Sequence, residues 1–279
     1  MSLPLSPPAA AVQLPWISNG AWDLHHATPS EADATSLWLQ LGGRGLDTAY
    51  SYGSADQIGV GDAVRKAAPT IPRGDIFVTT KIPCAGNASG ALAYVKEDLA
   101  QLGLAYADLI LIHTPAKCTS DAEIQATWQG LEHALALNLT RAIGVSNFEV
   151  VHLNAVLAAA KVMPAVNQCC LRVGFHDDDA IALCKQKGIV YQGYSPLGHG
   201  TNTSAPPVLL LPEVKAIAAA HNVSAAQVAF RFLTQQGHPL VTATGTKEYD
   251  LEDLNSLAFN MTAAELATLT QIKAEKCWS

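Results

Sequence analysis

Short apolar runs alternate with longer amphipathic stretches along nearly the whole chain. The runs fall at residues 16–22, 45–48, 76–81, 108–113, 141–145, 165–168, 189–194 and 239–243. Stretches with helical spacing follow at 54–67, 88–102, 121–137, 149–160 and 178–187. After the first run, Ser30 is placed to cap a helix, with Asp33 three residues on and Ala34, Leu37, Trp38 and Leu41 on one face. Gly42-Gly43 ends it. A longer insertion after 189–194 carries helices at 212–221 and 224–236, and helices near 248–256 and 262–273 follow the last run. The count is eight strand–helix units.

Runs such as Leu109-Ile110-Leu111-Ile112 are apolar on both faces, as strands covered on both sides are. Strand–helix alternation predicts a parallel sheet, and eight units predict a closed (β/α)8 TIM barrel of the α/β class. The competing architecture is an open doubly wound sheet, but no Gly-x-Gly-x-x-Gly follows an early strand. Residues 1–13 read as a flexible N-terminal arm and 14–279 as a single barrel domain.

Composition narrows the function. The chain has 279 residues, 49% hydrophobic and 15% charged, which suits a folded core and not a disordered chain. Net charge is −7 and no Lys/Arg run exists, so nucleic acid is not an expected partner. No run of 18 apolar residues and no basic, apolar leader is seen, so neither a membrane span nor a secretory signal is expected, and the reading is cytoplasmic. On that reading the five Asn-x-Ser/Thr sites, at Asn87, Asn138, Asn202, Asn222 and Asn260, carry no sugar. The six cysteines form no Cys-x-x-Cys pair and read as free thiols, which leaves zinc unsupported. His25-His26 and His176-Asp177-Asp178-Asp179 lack ligand spacing and read as solvated loops, so no metal is expected.

Candidate chemistry sits at the strand ends. Three runs close on a titratable residue, Asp47, Lys81 and His113, and Tyr52 follows Asp47 by five positions. Ser146-Asn147, Gln168 and Tyr194-Ser195 close others. A barrel of this kind gathers such ends in one mouth. Carbonyl reduction needs a hydride, which no side chain supplies and a nicotinamide does. It also needs a proton. A tyrosine beside an ammonium is lowered by up to about two or three pKa units from about 10, and a carboxylate keeps a buried lysine charged. A histidine nearby can stabilise a developing alkoxide. Singly, each residue has a plainer reading: Asp47 as a turn cap, Lys81 on the surface, His113 as a structural imidazole, Tyr194 as a core aromatic. Tyr50 competes with Tyr52 for the phenol role.

The motifs Asp47-Thr48-Ala49-x-x-Tyr52, Thr79-Thr80-Lys81, Leu111-Ile112-His113, Ile143-Gly144-Val145-Ser146-Asn147-Phe148, Asn167-Gln168 and Tyr194-Ser195-Pro196-Leu197-Gly198 occur in the order and at about the spacing of the aldo-keto reductase superfamily. The resemblance spans roughly residues 14–269 and is to short members lacking a long C-terminal loop. It implies NAD(P)H-dependent reduction of aldehydes or ketones, with Tyr52 as acid, Lys81 and Asp47 as its tuning pair and His113 orienting the carbonyl. It implies that Ser146, Asn147 and Gln168 hold the nicotinamide amide, that Tyr194 stacks on its ring, and that Ser195 and Leu197 run along the pyrophosphate.

The resemblance also has gaps. Thr244 and Gly245 stand at the family's Lys-Ser positions, and Asp250 stands where an Arg grips the 2′-phosphate of NADP(H). Lys247 is the one base there, among Asp250, Glu252 and Asp253. This weakens the expected NADPH preference and leaves room for NAD(H), whose free 2′-hydroxyl an acid can bond. On the substrate side the resemblance implies Trp22, Tyr52, His113 and Thr114, the last in place of a common Trp. Cys169-Cys170-Leu171-Arg172 replaces Glu-Tyr-His-Pro. These changes imply an open, shallow pocket for a small carbonyl compound on a monomeric protein. The rival readings are a cofactor-binding regulatory barrel with little turnover, and a metal-dependent hydrolase built on His113 and Asp47.

Overall fold

In the computed structural model, which describes residues 1–5, 9, 11–21, 30–198 and 207–273, the apolar runs become the staves of a closed barrel. In chain order the elements are β1 (Ser2–Pro4), β2 (Gln13–Pro15), β3 (Ile17–Gly20), α1 (Glu31–Gln40), β4 (Gly45–Asp47), α2 (Ser54–Ala67), β5 (Phe77–Ile82), α3 (Ala88–Leu102), β6 (Ala107–Ile112) and α4 (Asp121–Ala136). They continue with β7 (Thr140–Ser146), α5 (Val150–Leu157), β8 (Val166–Cys170), α6 (Asp178–Lys187), β9 (Val190–Tyr194), α7 (Pro212–His221), α8 (Ala225–Gln235), β10 (Leu240–Thr242), α9 (Lys247–Asn255) and α10 (Ala263–Thr270). The barrel order is β10-β3-β4-β5-β6-β7-β8-β9, with all strands parallel. This is the (β/α)8 TIM barrel.

Strand parity explains the core. On β6, Ile110 and Ile112 pack with the helices, while Leu109 and Leu111 fill the barrel floor. His113 continues the inward series one step beyond the strand, where the floor gives way to the mouth. Ser30 caps α1 as expected, its hydroxyl accepting from Asp33 N at 3.3 Å. The buried face is Ala34, Thr35, Trp38 and Leu39, shifted from the expected one toward the side on which Trp38 Nε1 donates to Gly45 O (3.0 Å).

Two expectations change. The stretch read as a loose arm is folded where it is described: β1 pairs antiparallel with β2, and Leu5, Ala9 and Val12 pack with Leu14 under Phe77, Leu109 and Leu111. An open barrel bottom would expose that apolar floor, so covering it favours the hairpin. Nor are all the cysteines free. Cys84 and Cys118 form a disulfide with Cα atoms 5.7 Å apart, because the loops leaving neighbouring strands β5 and β6 rise at the same rim. Cys169 and Cys184 are free and buried. Among the described residues no helix is long and apolar enough to cross a membrane.

Candidate active site

The strand ends converge on one cavity of 710 Å³, lined in part by Asp47, Tyr52, His113, Ser146, Asn147, Gln168, Tyr194, Ser195 and Leu197. Residues from seven of the eight barrel strands and the turns after them share it. Lys81 lies just behind Asp47 and is almost wholly buried, at 1% exposure.

Tyr52 reaches the mouth through a tight turn. Thr48 N donates to Thr79 O (2.9 Å), which extends the strand pairing by one residue. A one-turn 3₁₀ helix over Tyr50–Tyr52 follows, and Gly53, at φ 108°, then starts α2. Only glycine takes that φ without strain, so its place directly after Tyr52 sets where the phenol enters. The turn sends Tyr50 the other way: its hydroxyl donates to Glu97 (3.0 Å) and its ring meets Tyr94 edge-on.

Lys81 Nζ donates three hydrogen bonds, to Asp47 Oδ1, to Thr48 O (3.0 Å) and to Tyr52 Oη (3.2 Å). All three ammonium hydrogens are therefore engaged. Burial pulls Lys81 down, but Asp47 and then Tyr52 outweigh it and hold the amine above its ordinary range. The lysine stays charged. Tyr52 departs from expectation. Burial pushes the phenol up, Lys81 pulls it down, Asp47 pushes it up again, and the balance lies above the ordinary value. Its low exposure to water, unreadable from the chain, outweighs the neighbouring ammonium.

His113 is neutral. Burial, with Lys81 adding to it, holds the imidazole down at about 3. Its Nδ1 lies 2.9 Å from Ser51 Oγ, and its ring meets Tyr52 edge-on at 5.5 Å. The other ring nitrogen is thus left to address a ligand.

The amide-bearing set is cross-linked. Gln168 Nε2 donates to Asp47 Oδ2 (2.7 Å) and to Gln192 Oε1 (3.0 Å). Both of its amide hydrogens are spent within the protein, so its carbonyl oxygen is what it can offer a bound molecule. Ser146 Oγ donates to Gln168 O (2.8 Å). Asn147 Nδ2 donates to His113 O (3.0 Å), and Asn147 Oδ1 accepts from Tyr194 Oη (2.7 Å). Asn147 and Ser195 hold left-handed backbone, at φ 61° and 51°. Strain of this kind is concentrated in functional sites.

At the far end, Thr244 is tethered to Asn19, which donates to its carbonyl (3.3 Å) and accepts from its N–H (3.2 Å). Gly245 is half-buried, and Lys247 is exposed at the start of α9. Asp250 is buried on α9 away from the cavity lining, with neither carboxylate oxygen hydrogen-bonded, and burial raises its pKa. Thr114 lines the cavity and caps the turn Pro115–Lys117, its hydroxyl accepting from Ala116 N (3.3 Å). Trp22, His25 and His26 lie outside the described residues. His176 pairs with Asp178 at 2.6 Å, and among the described residues no group of three His, Cys, Asp or Glu is arranged to hold a metal ion.

Sequence reasoning missed Ser51, Asn19 and Gln192. Ser51 had a signal, since it directly precedes Tyr52 in the turn. Asn19 and Gln192 had none, because their partners are distant in the chain.

The Aldo/keto reductase family model matches residues 17–274. A protein of Mycolicibacterium vanbaalenii named aldo-keto reductase is 36% identical over 258 residues, covering 92% of this chain and 87% of that one. A 9,11-endoperoxide prostaglandin H2 reductase of Trypanosoma cruzi is 33% identical, covering 95% of this chain and 90% of its own. Among solved structures, an aldo-keto reductase of Bombyx mori in complex with NADP superposes with a TM-score of 0.90 at 26% identity, covering 100% of this chain and 95% of that one.

Proposed function

The chain belongs to the aldo/keto reductase family and is an oxidoreductase, and on that premise we propose that it reduces small aldehydes or ketones to alcohols with Tyr52 as proton donor. The observation that carries the reading is Lys81, whose ammonium is held by Asp47 and donates to the Tyr52 hydroxyl at 3.2 Å. As the phenol gives its proton to a forming alkoxide, negative charge develops on Tyr52 beside a fixed positive charge. That charge is stronger in effect for being buried, and it favours the transition state over the ground state. Asp47 keeps the lysine charged. His113, neutral and contacted by Ser51 through Nδ1, offers its other nitrogen to the carbonyl oxygen.

The NADP complex of the Bombyx mori relative supports NADP(H) as the cofactor here, and when bound it supplies the hydride. The residues fit such a group. Gln168 has a carbonyl oxygen to accept from a carboxamide, and the Tyr194 phenol is tied to Asn147, which orients the ring beside the cavity. Ser146, Ser195 and Leu197 would flank it. Thr244, Gly245 and Lys247 would meet the adenosine end. One exposed lysine there supports a weak hold on a 2′-phosphate and use of NADH as well as NADPH, while Asp250, buried and off the cavity lining, is withdrawn as a partner for the 2′-hydroxyl. Thr114 and Ser51 form a polar substrate rim.

The test is a fluorescence titration with NADPH and NADH, followed by an aldehyde and ketone panel read at 340 nm, on wild type and Tyr52→Phe. The expected result is binding by both proteins, with turnover in the variant lower by about 10²–10⁴-fold. Binding without wild-type turnover would leave a cofactor sensor and overturn the reading, as would a variant that turns over normally. A strong preference for NADPH would overturn the dual-cofactor part alone.

A further inference from the structure

A second polar cluster lies behind the mouth, on the outward faces of the same two strands. Neighbours along a strand point to opposite sides. Asp47 and Lys81 face the mouth, and Thr48 and Thr80, one residue from each, face the helices. Thr48 Oγ1 donates to Gln57 Oε1 (2.6 Å). Gln57 Nε2 donates to Thr80 Oγ1 (3.2 Å) and to Asp98 Oδ1, and Thr80 Oγ1 donates to Asp98 Oδ2 (2.6 Å). Gln57 stands in the first turn of α2 and Asp98 on α3. All four side chains have 0% exposure.

Polar groups in such a layer carry a desolvation cost that apolar ones do not. The surrounding Leu46, Val78 and Leu99 fill it with hydrocarbon. The geometry shows what the polar cluster does instead. The bond between Thr48 and Gln57 clamps both ends of the segment that carries Tyr52. The carbonyl of Thr48 is itself a Lys81 partner at 3.0 Å. Thr80 precedes Lys81 on the strand. The chain of donors ends on Asp98, which accepts from Gln57 and from Thr80.

We propose that Asp98 is a positioning residue: through Gln57 and Thr80 it fixes Thr48 and the start of α2, and so sets the contact between Lys81 and Tyr52. The kinetic consequence rests on the reductase reading given above; the geometric one does not.

The test uses Asp98→Leu, Asp98→Asn and Gln57→Met in the full chain. Leucine removes both acceptors and keeps the branched shape of the side chain. Asparagine still accepts from Gln57 and can donate to Thr80, so it is the conservative rescue. In Asp98→Leu, kcat is expected to fall about 10- to 100-fold, as for a misplacement near 1 Å, with the KM for cofactor within about twofold. Asp98→Asn recovers most of that loss. If Asp98→Leu does not fold, Gln57→Met separates Thr48 from Asp98 and carries the same expectation. A crystal structure of the folded variant is the second readout, with the Lys81–Tyr52 distance opening beyond hydrogen-bond range. If wild type fails to turn over carbonyls yet this distance opens, the reductase reading falls and the positioning role stands. A lowered Tm with kcat within about twofold of wild type and an unchanged Lys81–Tyr52 contact would mark Asp98 as merely structural and overturn the proposal.

Discussion

Gln168 donates an amide hydrogen to Asp47 at 2.7 Å, joining residues 121 positions apart. The residue proposed to hold the cofactor's carboxamide therefore also holds the carboxylate that keeps Lys81 charged. Gln168→Leu is expected to weaken cofactor binding and, separately, to slow hydride transfer at saturating cofactor, because Asp47 loses a hydrogen bond. Single-turnover rates alongside fluorescence binding would separate the two. A change in affinity alone would show that the link to Asp47 has no catalytic weight.

Removing the lysine exposes a different cost. Lys81 and Asp47 are 1% and 3% exposed, so Lys81→Met leaves a carboxylate buried without a counter-charge. The expected destabilisation is about 3–5 kcal/mol. Asp47→Asn together with Lys81→Met should recover much of it, since the uncompensated charge is gone. Urea denaturation of the two single variants and the double decides this; strictly additive losses would argue against a charge-compensation origin.

The pH dependence follows from two shifted groups. Tyr52 lies above its ordinary value, so it stays protonated through neutral pH. Reduction needs that proton, and the rate should hold across the neutral range and fall only in alkali, as pH rises through the raised pKa. Alcohol oxidation needs the deprotonated phenol and should climb with pH over the same range. His113, held at about 3, gives no acid limb near the usual imidazole pKa of about 6.5. Initial rates in both directions from pH 5 to 10 would test the signs; an acid limb near 6.5 that vanishes in His113→Gln would contradict them.

The disulfide between Cys84 and Cys118 closes a separation of 34 residues between the loops after β5 and β6. Reducing it frees chain entropy in the unfolded state, worth about 2–4 kcal/mol. For a chain this size the melting temperature of Cys84→Ala with Cys118→Ala should lie roughly 5 °C below that of the oxidised wild type, whereas dithiothreitol also reduces the disulfide of Cys170 and lowers it by a further step. Thr114 lies in the loop that leads to Cys118 and lines the cavity, so substrate KM should shift while cofactor affinity does not. A melting curve of the double variant unchanged from that of the oxidised wild type would sink this prediction.

The alternation of apolar runs with amphipathic stretches was enough to specify an eight-stranded parallel barrel, because period and burial are local properties of a chain. It was enough, too, to place Asp47, Lys81, His113, Ser146, Gln168 and Tyr194 at strand ends, which a closed barrel brings to one mouth whatever its details. What the chain left open turned on distances between residues far apart in it. By residue type Tyr50 and Tyr52 read alike, and only the family spacing from Asp47 picked Tyr52; the turn before Gly53 sends one to Glu97 and the other to Lys81. The direction of the Tyr52 shift depended on how much water the fold removes, which no neighbour in sequence reports. The hairpin under Leu109, the pairing of Cys84 with Cys118, and the Asp98 cluster behind the mouth likewise come from register and parity between separate strands. Local patterns set which elements form and which way their faces point. Only closure of the barrel, which brings specific side chains within hydrogen-bonding distance, decides their partners and therefore their chemistry.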